Sequence, residues 1–158
     1  MVFMNSRHLL IFFAGTFFAV LFALSLAAQE PNGLTVKATT VEPRKTAAYE
    51  FSFRAAEDIL PGARFEIVLP PQCITAYLKM ATSVSMLGGL AARAANDTVY
   101  VQRSGLGNAV SAGDSVDIRI AAIVNPAEMN YDYTFILDHI SSSASRTRYS
   151  SVAIIQKR

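Results

Sequence analysis

Strict alternation of apolar and polar residues governs this chain from residue 46 onward. Tyr49, Phe51 and Phe53 alternate with Glu50, Ser52 and Arg54; Ala63, Phe65, Ile67 and Leu69 alternate with Arg64, Glu66 and Val68. Val116, Ile118 and Ile120 alternate with Ser115, Asp117 and Arg119, and Tyr131, Tyr133, Phe135 and Leu137 with Asp132, Thr134, Ile136 and Asp138. A period of two gives a strand one buried and one wet face; no helix satisfies it. Weaker strand signals at 34–40, 74–80, 84–87, 99–103 and 149–156 bring the expected number to eight or nine. Pro61-Gly62, Pro70-Pro71, Ala112-Gly113-Asp114 and Asn125-Pro126 supply the turns between them. Within 82–96, Ala91-Ala92-Arg93-Ala94-Ala95 suits one helical turn and Gly88-Gly89 a strand break. The expected fold class is an all-β antiparallel sandwich.

The alternating region must hold itself together by burial, because the chain has one cysteine and so no internal disulfide. Its net charge of +2, from 14 basic and 12 acidic side chains, excludes a basic nucleic-acid binder and an acidic tail protein. A charged fraction of 16% and a hydrophobic fraction of 52% exclude a disordered chain. Part of that apolarity belongs to residues 9–28, LLIFFAGTFFAVLFALSLAA, which carry no charge and follow Arg7 and His8. Small Ser25 and Ala27 fit the positions before a signal-peptidase cut after Ala27 or Ala28. Twenty apolar residues also span roughly 30 Å, the thickness of a bilayer core, so an uncleaved anchor is the alternative. The expected organisation is a signal peptide over 1–28 and one sandwich domain over 29–158, placed outside the cell or in the periplasm.

The order of strands and turns carries a resemblance. Thr46-Ala47-Ala48-Tyr49-Glu50-Phe51-Ser52-Phe53 is followed by Leu60-Pro61-Gly62-Ala63-Arg64-Phe65-Glu66-Ile67-Val68-Leu69-Pro70, then by Gly113-Asp114-Ser115-Val116-Asp117-Ile118-Arg119-Ile120 and Val124-Asn125-Pro126. This resembles the immunoglobulin-like modules of microbial secreted and surface proteins. The resemblance implies a structural, adhesive or scaffolding role and brings no catalytic residues. Unlike antibody domains, the chain lacks paired cysteines and any tryptophan.

Few residues here suggest chemistry. His139 beside Asp138, with Ser141 or Ser142, fails as a triad: the three are sequence neighbours, and no Gly-x-Ser-x-Gly elbow exists. Asp97, Asp114, Asp117, Asp132 and Asp138 form no calcium-loop series, so neither metal nor cofactor is expected. Cys73 is either a buried thiol or an intermolecular disulfide partner. Asn96-Asp97-Thr98 matches the glycosylation acceptor pattern. Tyr77 and Tyr100 are the rings that strand parity leaves free to contact a ligand such as a carbohydrate. The last strand, with Val152 and Ile154 inward and Ile155 outward, offers an edge for self-association or a protein partner. The expected function is that of a non-enzymatic secreted or surface module acting through protein contacts, with carbohydrate or small-ligand binding as the alternative. Nucleic acid is not an expected partner, and membrane contact is expected only through an uncleaved N-terminal run.

Overall fold

The computed structural model describes residues 33–128 and 131–154. Their nine strands are β1 (Thr35–Ala38), β2 (Thr46–Arg54), β3 (Arg64–Val68), β4 (Met80–Thr82), β5 (Leu90–Ala95), β6 (Thr98–Arg103), β7 (Ser115–Val124), β8 (Asp132–Ile140) and β9 (Arg146–Ile154). All paired strands are antiparallel, in the order β1-β2-β7-β4-β5-β6-β3-β8-β9. The sheet folds over on itself, so that β1, β2, β7 and β4 form one layer and β5, β6, β3, β8 and β9 the other. Rings from the two layers meet between them: Phe53 lies 6.4 Å from Phe65 and 4.5 Å from Tyr149, and Tyr49 lies 5.9 Å from Phe135. The result is an immunoglobulin-like β-sandwich.

Two thin seams join the layers. At one side β4 and β5 share a single pair, Ala81 with Leu90. At the other, a parallel bridge joins Gly33 to Ser150 and lays the start of β1 beside β9. Hence β9 is not a free edge at its middle. Its parity also differs from expectation. Tyr149 is the buried residue, so Val152 falls on the outer face and is 65% exposed. The side chain of Ile154 and the whole of Ile155 lie outside the described residues.

The strong alternations behave as the pleat requires. Tyr49, Phe51, Phe53, Phe65, Ile67, Val116, Ile118, Ile120, Phe135 and Leu137 are all buried. Tyr131 is the exception: it precedes β8 and is exposed. The alanine-rich stretch is strand β5, with no helical turn, because its small side chains alternate against β6 in full register from Leu90–Arg103 to Ala95–Thr98. Of the weaker stretches, Ile74 makes only an isolated antiparallel bridge to Val124, residues 75–79 run through a turn, and 84–87 are bends and loop. Within β7, Ala122 is an extra residue: Ala47 faces Ile123 while Ala48 faces Ala121. This bulge, with φ of 68° at Ala122, shifts the parity by one and turns Ile123 inward behind Ile120.

A buried polar hub fastens the end where β7 finishes. The Tyr49 hydroxyl donates to Asn125 Oδ1 at 2.7 Å, and Asn125 Nδ2 donates to the carbonyls of Thr40 and Glu42. Cys73 packs beside the same tyrosine. Burial pushes its thiol up to about 11, against the opposing influence of the nearby Tyr49 hydroxyl. A free, buried thiol of this kind is closed to an intermolecular disulfide unless the domain opens.

Candidate functional site

The most structured part of the surface is the outer face of the five-stranded layer. Register alone builds it. Arg93 on β5 faces Tyr100 on β6, Tyr100 faces Glu66 on β3, Glu66 faces Asp138 on β8, and Asp138 faces Arg148 on β9. Five consecutive strands thus contribute one residue each to a single transverse row. Each of these positions alternates with inward residues such as Val101, Phe65 and Leu137, which fixes its direction.

The row is held by specific contacts. The Arg93 guanidinium lies 3.9 Å over the Tyr100 ring. Glu66 and Asp138, two carboxylates directly opposite one another, would repel. Arg146 resolves this by reaching Glu66 at 2.8 Å and Asp138 at 2.7 Å. Arg148 forks onto Asp138 through Nε at 2.9 Å and Nη2 at 3.0 Å. Asp138 is consequently buried although it points outward. Burial works against its ionisation, but the hydrogen bonds from Arg148 and Arg146 win and hold it below the usual carboxylate range. Beside the row a depression of about 350 Å³ opens over Ala91, with Arg64, Glu66, Arg93, Tyr100 and Gln102 among its walls. The small side chain at Ala91 leaves this hollow.

The candidate residues from the sequence are dispersed. Tyr100 belongs to the row. Tyr77 is 60% exposed on the β3–β4 connection and does not line that hollow. Asn96 is exposed in the β5–β6 turn, in the left-handed conformation at φ 54°. The acidic residues do not converge. Asp117 accepts from the backbone of Val84 and Ser85, Asp114 from Ser111, and Asp138 from the two arginines. Among the described residues no group of three or more His, Cys, Asp or Glu could hold a metal ion.

His139 is buried, 5.4 Å from the Phe65 ring, with Nδ1 3.1 Å from Glu57 Oε1. Thr147 donates to the same oxygen at 2.7 Å. Burial lowers the His139 pKa and outweighs the opposing pull of Glu57. Ser141, the serine considered as its partner, is engaged with Ser143.

One important residue gave no hint of chemistry in the sequence. Arg103 closes β6 and is fully buried, with no carboxylate in ion-pair range among the described residues. Its guanidinium donates to the carbonyls of Ile59 at 2.9 Å, Asn108 at 2.8 Å and Leu87 at 3.2 Å. Those carbonyls belong to three different interstrand connections. The signal was available: Val99, Val101 and Arg103 share one inward parity.

No protein-family model matches the chain. No curated protein matches it either. Among solved structures it is similar to a cohesin module from a family 33 glycoside hydrolase of Clostridium perfringens ATCC13124. That match has a TM-score of 0.47 and 10% identity, covering 77% of this chain and 95% of that one. It is also similar to an uncharacterized protein from Nocardia farcinica with an immunoglobulin-like fold, at TM-score 0.41 and 13% identity, covering 73% and 82%. A third match is a GH20 exo β-N-acetylglucosaminidase from Vibrio harveyi, at TM-score 0.43 and 8% identity. It covers 76% of this chain and 17% of that one. At these identities and scores no activity transfers to this chain.

Proposed function

We propose that the chain is a non-enzymatic binding module, secreted or held at a cell surface, that docks a protein on the outer face of its five-stranded layer. The row Arg93–Tyr100–Glu66–Asp138–Arg148 carries the reading. It is a wide, pre-ordered polar surface whose side chains are tied to one another, so little entropy is lost when a partner arrives. Four arginines (Arg64, Arg93, Arg146, Arg148) outnumber the two carboxylates, Glu66 and Asp138, so the complementary surface is acidic. Carbohydrate stacking fits Tyr100 less well, because Arg93 already lies across its ring.

A photo-crosslinking residue at position 100, introduced in the native host, tests this. The expected result is a discrete protein adduct at position 100 and none at exposed Lys37 of the other layer. Arg93→Glu with Arg148→Glu should abolish that adduct while the domain stays folded. Absence of adducts at 100, or equal adducts at 37, would overturn the reading. Retention on an immobilised neutral glycan by the parent but not by Tyr77→Ala would replace it with the carbohydrate alternative.

A further inference from the structure

Three loops meet at one end of the sandwich, and all three display apolar side chains. Leu60 on the β2–β3 connection is 46% exposed, Val84 and Leu87 on the β4–β5 connection 89% and 67%, and Leu106 on the β6–β7 connection 68%. Scattered exposed leucines are ordinary; a cluster on interlocked loops is not. These loops are locked together. Arg103 binds a carbonyl from each. Gly88 and Gly107, both at positive φ, lie against the backbones of Leu106 and Leu87, where a Cβ would collide. Ser104 Oγ donates to the Gly88 carbonyl, and Gly105 N–H donates to Pro61 O at 3.0 Å.

The same tip is free of charge. Residues 59–63, 83–92 and 104–113 contain no Asp, Glu, Lys or Arg, in a chain of which 16% is charged. Of the acids beside it, Asp58 and Asp114 accept from the backbone of Ala112 and Ser111, and Asp117 from Val84 and Ser85. Of the cations at this end, Arg103 is buried, and Arg54, exposed at the close of β2, is held on the Gly113 carbonyl at 3.0 Å.

The path of the chain supplies the occupant. Thr35 pairs with Ser52, so β1 starts beside the end of β2 from which the Leu60 loop departs. Gly33, the first described residue, bridges Ser150 at the middle of β9, and within its own layer it lies on the leucine side of Thr35. Residue 28, the last of the twenty-residue apolar run, is five positions earlier, at most about 18 Å of extended chain. With that run in a bilayer, this end of the domain is the one that faces the lipid. We infer that the Leu60, Val84, Leu87 and Leu106 tip seats in the bilayer interface and fixes the domain upright, with the arginine-rich row standing to the side. Interlocked loops suit this role, since a rigid apolar tip enters the headgroup region without ordering cost.

Lack of tryptophan makes the test direct. Full-length Leu106→Trp and, at the opposite end, Tyr77→Trp are each reconstituted into phosphatidylcholine liposomes. Leu87→Trp serves as a second reporter should Leu106→Trp fold poorly. Emission from the tip tryptophan should shift to the blue and fall by roughly half with acyl-brominated lipid, as expected for a ring at the headgroup–acyl boundary. Emission from position 77 should not respond. Equal responses at both ends, or failure of the protein to float with the liposomes, would overturn the inference. So would a blue shift that arises without lipid and grows with protein concentration, which would assign the tip to a second copy of the chain.

Discussion

Removing Arg103 tests whether one buried cation organises a whole end of the domain. In Arg103→Met the side-chain volume is largely kept and the donors are lost. Ile59 O would still receive the Val110 N–H at 3.0 Å, but the carbonyls of Leu87 and Asn108 lose the guanidinium donor. Two carbonyls left without it cost about 1–3 kcal/mol each. Against this stands relief from holding a cation with no carboxylate in ion-pair range among the described residues, where burial lowers the Arg103 pKa and the penalty runs to a few kcal/mol. The first effect should win, because the guanidinium fork is met by three carbonyls, and the net loss should be about 1–3 kcal/mol. Arg103→Lys should recover only part of it, since an ammonium lacks the planar fork. Urea unfolding gives the global change. Hydrogen exchange at Ser104, Gly105 and Val110, whose N–H groups donate to Gly89, Pro61 and Ile59, with limited proteolysis of 104–113, shows whether the loops part first. An Arg103→Met domain as stable as the parent, with unchanged exchange at these amides, would refute the stapling argument. A more stable one would show that the unpaired charge outweighs its hydrogen bonds.

Four further outcomes are expected. Tyr49→Phe removes the donor to Asn125 and should lower stability by about 1–2 kcal/mol in urea unfolding. Ala122→Gly relieves a left-handed alanine in the β7 bulge and should raise stability by about 0.5–1 kcal/mol, after the unfolded-state entropy of glycine is offset. His139 has its folded pKa lowered by burial, so below about pH 6.5 the unfolded chain takes a proton that the folded one refuses. Stability should fall with acid there, by at most about 1.4 kcal/mol per pH unit from this group, and His139→Gln should flatten that part of the pH profile. Maleimide should label Cys73 only as fast as the domain opens, and a rate like that of a free thiol would contradict its burial.

The parts of the fold legible in the sequence are those where side-chain size and parity agree. β2, β3, β7 and β8 alternate large apolar residues with polar ones, so both their existence and their buried faces could be read directly. β5 carries four alanines, which suit a helical turn as well as a strand; Leu90 and Arg93 mark its two faces only once the strand is granted, and its pairing with β6 grants it. The bulge at Ala122 is equally silent, because an alanine in a left-handed conformation has no sequence mark. The last strand is legible in position but not in parity, since Val152 looks like a core residue and Tyr149 sets the opposite phase. The transverse row on the five-stranded layer was half visible. Tyr100 stood out as a ring of unassigned direction, whereas the alignment of Arg93, Glu66, Asp138 and Arg148 beside it depends on registers between strands far apart in the chain. Arg103 shares the inward parity of Val99 and Val101, but a strand-end arginine looks like a surface residue.

The contact between Phe53 and Tyr149, their rings 4.5 Å apart, has a consequence in time. β2 is made early and β9 last, and the interior between them is not sealed until residue 149 has arrived. The neighbouring bridge from Gly33 to Ser150 waits on the same event. Non-local closure of this kind makes folding slow beside that of helical domains of similar size. Until it happens, the side of the Phe53 ring that Tyr149 covers stands open, so a chain cut short before residue 149 keeps an unsealed interior.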